Sequence, residues 1–412
     1  MAIVKPFMAY RPRKGLEDRV AALPYDVYNR EEAKTAVAKE PLSFLSIDRA
    51  ETAFSDDVDM YADCVYQKAK ELLQERIREG VFVQDEKPCY YVYELTMDGR
   101  SQTGIVGCAS VDEYLNHTIK KHENTRAEKE LDRIRHVDVT DMQTGPIFLA
   151  YHASDRIEGV IASVKEKNAE ADFVSGDGVS HRVWVIDREE DIQAIREAFA
   201  QVSSVYIADG HHRCASAVKV ALKRREQYPD YTGEEPFNYF LSVLFADNEL
   251  KIMDYNRLIL DWNGQDHDSM LAFLNRKCKV EGPFSEPVRP VQKGQFGMCD
   301  HTGWYRLTFL PEYRSDDPVE GLDVSLLQRE ILEPLFSIED PKTDSRIDFV
   351  GGIRGLAELE RRVHEDARVA FSLYPTSIRE LFTVADQGKL MPPKSTWFEP
   401  KLRSGLFLHS LS

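Results

Sequence analysis

The sequence predicts a mixed α/β fold. Three observations point to it. β-rich and helical runs alternate along most of the 412 residues, one junction passes from a strand through glycine into a helix, and 42% of residues are apolar against 30% charged. Such a composition belongs to an ordinary globular chain that buries a large core. The length implies two or three domains, which we place at 1–265 and 266–412, the second ending in a tail that returns to the site.

Taken in order, Asp56–Gly80 carries Tyr61, Val65, Leu72, Leu73 and Ile77 near helical spacing. Cys89–Thr96 and Gly104–Val111 read as strands, with the hairpin signal Asp98-Gly99 between them. Thr125-Arg126-Ala127-Glu128 fits a capping box, so a helix should start there. Pro146–Tyr151 and Val183–Asp187 read as short strands and Glu189–Gln201 as a helix. Ser204–Ala208 is β-rich, Asp209-Gly210 breaks it, and His211–Gln227 turns helical with Ala215, Val218 and Leu222 on one face.

Tyr239–Ala246 and Leu250–Leu260 suggest a hairpin around Asp247-Asn248. Pro283, Pro287 and Pro290, with Gly282 and Gly294, suggest a linker or long surface loop. Trp304–Leu310, Val324–Phe336, Arg368–Leu373 and Ser377–Asp386 resume the alternation. The three prolines of Met391–Leu402 forbid a regular helix, which leaves an ordered extended loop or a disordered tail.

Composition also bounds the partners. With 53 Lys and Arg against 70 Asp and Glu, the net charge is −17. No concentrated basic block is present for a nucleic-acid duplex, whose binding depends on phosphate neutralisation. No apolar run approaches the roughly 18 residues of a membrane span, and proline breaks the N-terminus too early for a secretory signal. The six cysteines show neither C-x-x-C pairing nor zinc spacing and read as reduced core thiols of a cytoplasmic protein.

Chemistry concentrates in three places. At Asp209-Gly210-His211-His212-Arg213, a strand, a glycine turn and a helix start expose backbone N–H groups at the positive end of a helix, a ready anion site. Arg213 could clamp phosphate oxygens with its fork, and His211 and His212 could donate or move protons. Asp209 could hold a metal ion or orient a histidine. A plain Asp-Gly turn with surface histidines is the simpler alternative, and no G-x-x-x-x-G-K-[ST] loop is present.

Second, Lys120-Lys121-His122-Glu123-Asn124-Thr125 precedes a helix start. Glu123 could serve as a general base, with His122 as its rival, or the run could be a solvated face with a cap. Third, Lys394-Ser395-Thr396, with Lys401, could form a proline-stiffened lid over phosphate; removing Gly388 onward should then cost activity more than stability. Arg11-Pro12 and Pro24-Tyr25-Asp26 are weaker candidates. His117, His136, His152 and His181 show no metal spacing and receive no role.

Together these pieces resemble the domain of unknown function 1015 family, often linked to the ParB/sulfiredoxin-like superfamily. The matching residues are Pro6-Phe7 with Arg11-Pro12, Pro24-Tyr25-Asp26-Val27, His122-Glu123 with Thr125, Asp132-Arg133, Pro146-Ile147-Phe148, Tyr206–Arg213, and Met391-Pro392 with Lys394-Ser395-Thr396 and Phe398. Cys214 stands where the family usually has Tyr, and Tyr255-Asn256-Arg257 where it often has Thr-His-Arg.

The resemblance implies a ParB/sulfiredoxin-like nucleotide-binding core with additional α/β regions. It implies a kinase that phosphorylates a small hydroxyl compound from ATP or ADP with Mg²⁺, free L-serine being the best acceptor. Gly210, His211, His212, Arg213, Lys394, Ser395 and Thr396 would bind nucleotide phosphates. Glu123, His122 and Asp209 would be catalytic, and Arg11, Asp26 and Thr125 would touch the substrate. Which residues would hold a metal is left open. The alternative is a nucleotide-binding regulatory switch with little turnover.

Overall fold

The computed structural model describes every residue except Arg126, and that residue of the expected capping box lies outside the described residues. The chain divides into two compact units, Met1–Leu250 with Pro400–Ser412, and Lys251–Glu399. Among the described residues no helix is long and apolar enough to cross a membrane.

The first unit is built on a nine-stranded sheet. Its strands are β1 (Val4–Lys5), β2 (Tyr90–Met97), β3 (Arg100–Ser110), β4 (Ile119–Lys120), β5 (Ile147–Tyr151), β6 (Ala171–Val174), β7 (Ser180–Ile186), β8 (Val205–Asp209) and β9 (Tyr239–Ala246). Their order is β4–β8–β5–β9–β3–β2–β7–β6, with β1 also on β3. Most pairs are antiparallel, but β8 runs parallel to β4 and β9 parallel to β5.

The hairpin β2–β3 forms as the sequence predicts, because Asp98 and Gly99 both take positive φ, 52° and 75°, the geometry that continues the strand twist through a two-residue turn. β9 does not form the expected hairpin with the segment that follows Asp247-Asn248. It is buried along its whole length between β3 and β5, whereas Tyr255–Ile259 belongs to the second unit.

The longer helices of this unit are α1 (Asp63–Arg78), α2 (Ala127–Thr140), α3 (Asp155–Lys165), α4 (Glu189–Phe199) and α5 (His211–Gln227). Leu149, Ile207, Val218, Phe240 and Leu244 are among the side chains of the largest core cluster. A second cluster gathers Phe44, Ile47, Leu73 and Phe82 with Leu408 from the C-terminal segment. The helix expected from Asp56 starts only at Asp63, while α5 keeps the bounds read from the sequence.

The second unit has a six-stranded antiparallel sheet of β10 (Tyr255–Ile259), β11 (Cys278–Phe284), β12 (Gln295–Asp300), β13 (Gly303–Phe309), β14 (Ile347–Gly351) and β15 (Val369–Leu373), ordered β11–β13–β12–β15–β10–β14. The proline-rich stretch is no linker between units. Pro283 sits in the edge strand β11, beside a register shift, and 285–294 connects to β12 within the same sheet, which fits the confinement of proline to edges and bulges. Division at Leu250 rather than 265 follows from β10, which pairs with β14 and β15.

Candidate functional site

Two neighbouring parallel strands bring the first two sequence motifs together. β4 and β8 pair with Val205 opposite Ile119 and Tyr206 opposite Lys120. Both chains leave the sheet at the same end, β4 into Lys121–Thr125 and β8 into Asp209-Gly210. The helices that follow, α2 and α5, pack together. The Ser216 hydroxyl donates to the Glu130 carbonyl at 3.0 Å. Glu130 also pairs with Lys219 and accepts from the Thr125 hydroxyl at 2.7 Å.

Gly210 caps α5 at φ 88° and ψ 32°. A Cβ there would lie 3.1 Å from two guanidinium nitrogens of Arg213. Glycine is therefore required both for the left-handed backbone and for the seat of the arginine. Arg213 Nη1 donates to the Pro146 carbonyl at 2.6 Å, and its Nη2 lies 3.6 Å from Asp209 Oδ2. Lys401 Nζ approaches that same oxygen to 3.5 Å. Burial alone would raise the Asp209 carboxyl. Lys401, Arg213, His211 and the Gly210 amide outweigh burial and hold it well below the usual carboxylate range.

His122 and His211 meet edge to face with ring centroids 4.5 Å apart. They are 2% and 7% exposed. Burial pushes His122 down to about 4, against the opposing pull of the Ile207 carbonyl and Asp209. Burial, with His122 beside it, holds His211 well below the ordinary histidine value. Both rings are therefore neutral at pH 7. Neither nitrogen of His122 nor Nε2 of His211 meets hydrogen-bond geometry among the described residues. Leaving such groups unsatisfied costs about 1–3 kcal/mol each, and native structures keep few of them without a reason.

Two cavities adjoin Arg133, and one of them also reaches Arg213. A narrow one is lined by Tyr25, Arg133, Thr144, Gly145, Arg213 and Ser404, among others. A larger one of about 320 Å³ shares Tyr25, Asp48, Arg133 and His136 with it and extends to Asp26, Arg49, Tyr61 and Tyr66. Arg133 stacks on the Tyr25 ring at 4.0 Å and pairs with Asp132 at 2.8 Å. Burial works against its charge, but Asp132, Tyr25 and Asp48 keep Arg133 firmly cationic. Asp48 accepts from the Thr144 hydroxyl at 3.0 Å and lies 3.9 Å from His136.

The structure thus gathers Asp209, Gly210, His211, His212, Arg213, His122, Glu123 and Thr125 at one end of β4 and β8, and places Asp26 on the wall of the larger cavity. Arg11 lines neither cavity. Its fork is taken by Asp85 at 2.9 and 2.6 Å. Lys394, Ser395 and Thr396 belong to the second unit. There the Ser395 hydroxyl donates to the Pro392 carbonyl at 2.6 Å, and Arg257 donates to the Lys394 carbonyl at 3.0 Å. The tail is ordered, with Trp397–Phe398 paired to Ile252–Met253.

Sequence reasoning passed over Arg133, His136 and Asp48, which line the cavity that Arg213 reaches, whereas Lys401 was named with the tail. The available signal was the i, i+3 spacing of Arg133 and His136, which puts a guanidinium and an imidazole on one face of the helix that follows His122 and Glu123. Among the described residues no group of three or more His, Cys, Asp or Glu side chains forms a metal cage.

Three solved structures are similar at low scores. A free serine kinase in complex with AMP aligns over 72% of this chain and 86% of its own at 12% identity and a TM-score of 0.35. SbnI with C-terminal truncation, from Staphylococcus aureus, covers 71% and 82% at 11% identity and 0.37. A conserved hypothetical protein from Pyrococcus furiosus covers 73% and 93% at 13% identity and 0.32. No curated protein matches the sequence. The family model described as protein of unknown function (DUF1015) matches residues 4–325, and the chain, most of whose length that match spans, belongs to this family.

Proposed function

We propose that the protein is a nucleotide-dependent phosphotransferase acting on a small hydroxyl compound, with free L-serine as the acceptor to test first. The observation that carries this reading is the convergence of the two motifs. The parallel pair β4–β8 sets His122 against His211 beside the glycine turn, and Arg213 lines a narrow cavity that shares Tyr25, Asp48, Arg133 and His136 with the larger one.

In this reading the α5 N-terminus, Gly210 and Arg213 hold the phosphates of ATP or ADP, with His211 as an uncharged donor and His212 beside it at the turn. Catalysis of phosphoryl transfer rests on positioning and charge stabilisation, which a fixed amide cluster and guanidinium supply. The larger cavity seats the acceptor, with Asp26 on its wall and Arg133 and Asp48 as its buried charges. Glu123 accepts the acceptor's hydroxyl proton, and Thr125 supports the turn through Glu130. Lys394, Ser395 and Thr396 are kept as the further phosphate contacts that the family motif implies.

Mg²⁺ ordinarily binds through one or two carboxylates together with substrate phosphates. Asp209 and Glu123 are the carboxylates of this motif pair that would complete such a set, and the ion would offset charge on the transferred group.

The test is an assay of purified protein with Mg²⁺, ATP or ADP, and a panel of amino acids and other small hydroxyl compounds. Phosphoserine is the expected product. Glu123→Gln should lower turnover about a hundredfold and leave nucleotide affinity nearly unchanged. If His122→Asn abolishes turnover while Glu123→Gln does not, the base is His122. Nucleotide binding with no turnover on any acceptor returns the switch reading in place of the enzyme.

A further inference from the structure

The C-terminal segment Pro400–Ser412 is part of the first unit, and it arrives with a cation. Asp209 Oδ2 has Lys401 Nζ at 3.5 Å and Arg213 Nη2 at 3.6 Å. Both separations exceed a hydrogen bond, so the contacts to the carboxylate are ion pairs without a hydrogen bond. Two positive groups converge on one negative group, beside the amides that start α5. The side chains of Lys401 and Arg213 are 16% and 15% exposed, so the pair is largely withdrawn from solvent and its field is weakly screened.

The backbone that carries Lys401 is fixed a few residues further on. Ala22 and Ser404 exchange both backbone hydrogen bonds, at 3.1 and 2.9 Å, and the Gly405 amide donates to the Thr144 carbonyl at 3.2 Å. Arg403 is 2% exposed. Its Nη2 donates to both oxygens of Asp177, at 2.7 and 2.5 Å, and to Ser175 Oγ at 3.0 Å, while its Nε reaches His181 at 3.3 Å. His181 is in turn bonded to the Tyr93 hydroxyl at 2.8 Å and to Ser175 Oγ at 2.9 Å. The loop between β6 and β7 therefore holds Arg403 from several sides.

We propose that Lys401 is a second phosphate-binding cation of the site, and that Arg403, clamped by Asp177, is the residue that positions it. The proposal rests on the nucleotide reading above and assigns the charge partner of Arg213 to the C-terminal segment of the same unit. Lys401 leaves Asp209 for the terminal phosphate when nucleotide binds. Before binding, Asp209 serves as a placeholder that keeps both cations apart and oriented.

The test is calorimetric titration of ADP, with Mg²⁺, into wild type, Lys401→Met, Lys401→Arg, Asp177→Asn and the Lys401→Met/Asp177→Asn pair. Lys401→Met should weaken ADP binding about tenfold, and Lys401→Arg should restore most of it. Asp177 is a half-exposed loop residue, so Asp177→Asn leaves the unit folded where an Arg403 substitution could break it. Asp177→Asn should weaken binding severalfold in the wild-type background and add nothing once Lys401 is Met, because the two changes act through one ammonium.

Unchanged ADP affinity in folded Lys401→Met overturns the proposal and leaves the nucleotide reading standing. An equal loss from Asp177→Asn in both backgrounds overturns the positioning role of Arg403. A wild-type protein that binds no ADP overturns the nucleotide reading, and this proposal with it.

Discussion

Gly210 shows how one residue joins backbone, packing and site. At φ 88° any L side chain is strained, at a cost of about 1–2 kcal/mol, and an alanine Cβ would also press on the Arg213 guanidinium at 3.1 Å. Gly210→Ala should therefore lower stability by about 1–2 kcal/mol in thermal melts and also weaken ADP binding about as much as Arg213→Ala does. A melt shift with unchanged binding would separate the turn from the site. Asp209 to Arg213 was legible in the sequence because turn, glycine and helix start are local features. Arg133, His136 and Asp48 were not, since their chemistry appears only where α2 and the segment after Phe44 meet. The partner of Arg11 was not legible either, because Asp85, which occupies its fork, lies 74 residues on in the chain.

Among elements, the sequence revealed what pairs with its neighbour and missed what pairs at a distance. The Asp98-Gly99 hairpin and α5 both follow from local signals. The strand after Asp247-Asn248 was legible as a strand, but its partners lie about a hundred residues on, at Ile347–Gly351 and Val369–Leu373, and alternation alone carries no address. The C-terminal segment corrects a stronger expectation. Leu402, Leu406, Phe407, Leu408 and Leu411 are all buried, and Leu408 belongs to the core with Phe44 and Phe82. At about 1.5–3 kcal/mol per buried side chain, as an upper estimate, they together rival the whole stability of a typical domain. Deleting residues 400–412 should leave a protein that circular dichroism and proteolysis show to be unfolded or loosened. It would not be a folded, inactive one.

At the scale of the whole molecule, the two units carry buried titrating groups of opposite sense. In the first unit, burial lowers His122 to about 4, His181 to about 3 and His409 to about 4, and it also lowers His136 and His211. An unfolded histidine titrates near 6.5. Below that pH the unfolded chain takes up protons that the folded unit refuses, so stability is full above about 6.5 and falls as pH drops towards the folded values. At pH 5 His122, His181 and His409 each cost about 2 kcal/mol, and His136 and His211 add in the same direction. In the second unit, burial raises Asp323 to about 7, although the Gly294 amide donates to both its oxygens at 2.9 and 3.1 Å. Here the sign reverses. Above the unfolded value of about 3.9 the unfolded chain releases a proton that the folded unit keeps, so stability is lost as pH rises through about 4 to 7. Asp323→Asn should then raise the thermal midpoint of the unit that contains it at pH 8, by roughly 2–4 kcal/mol in stability, and change it little at pH 4. Lowering the pH of wild type from 7 to 5 should destabilise the first unit in the same calorimetric scans. A midpoint in Asp323→Asn that tracks wild type at both pH values would mean that Asp323 is ionised in the folded chain, and that Gly294 and the nearby Lys293 and Arg314 outweigh its burial.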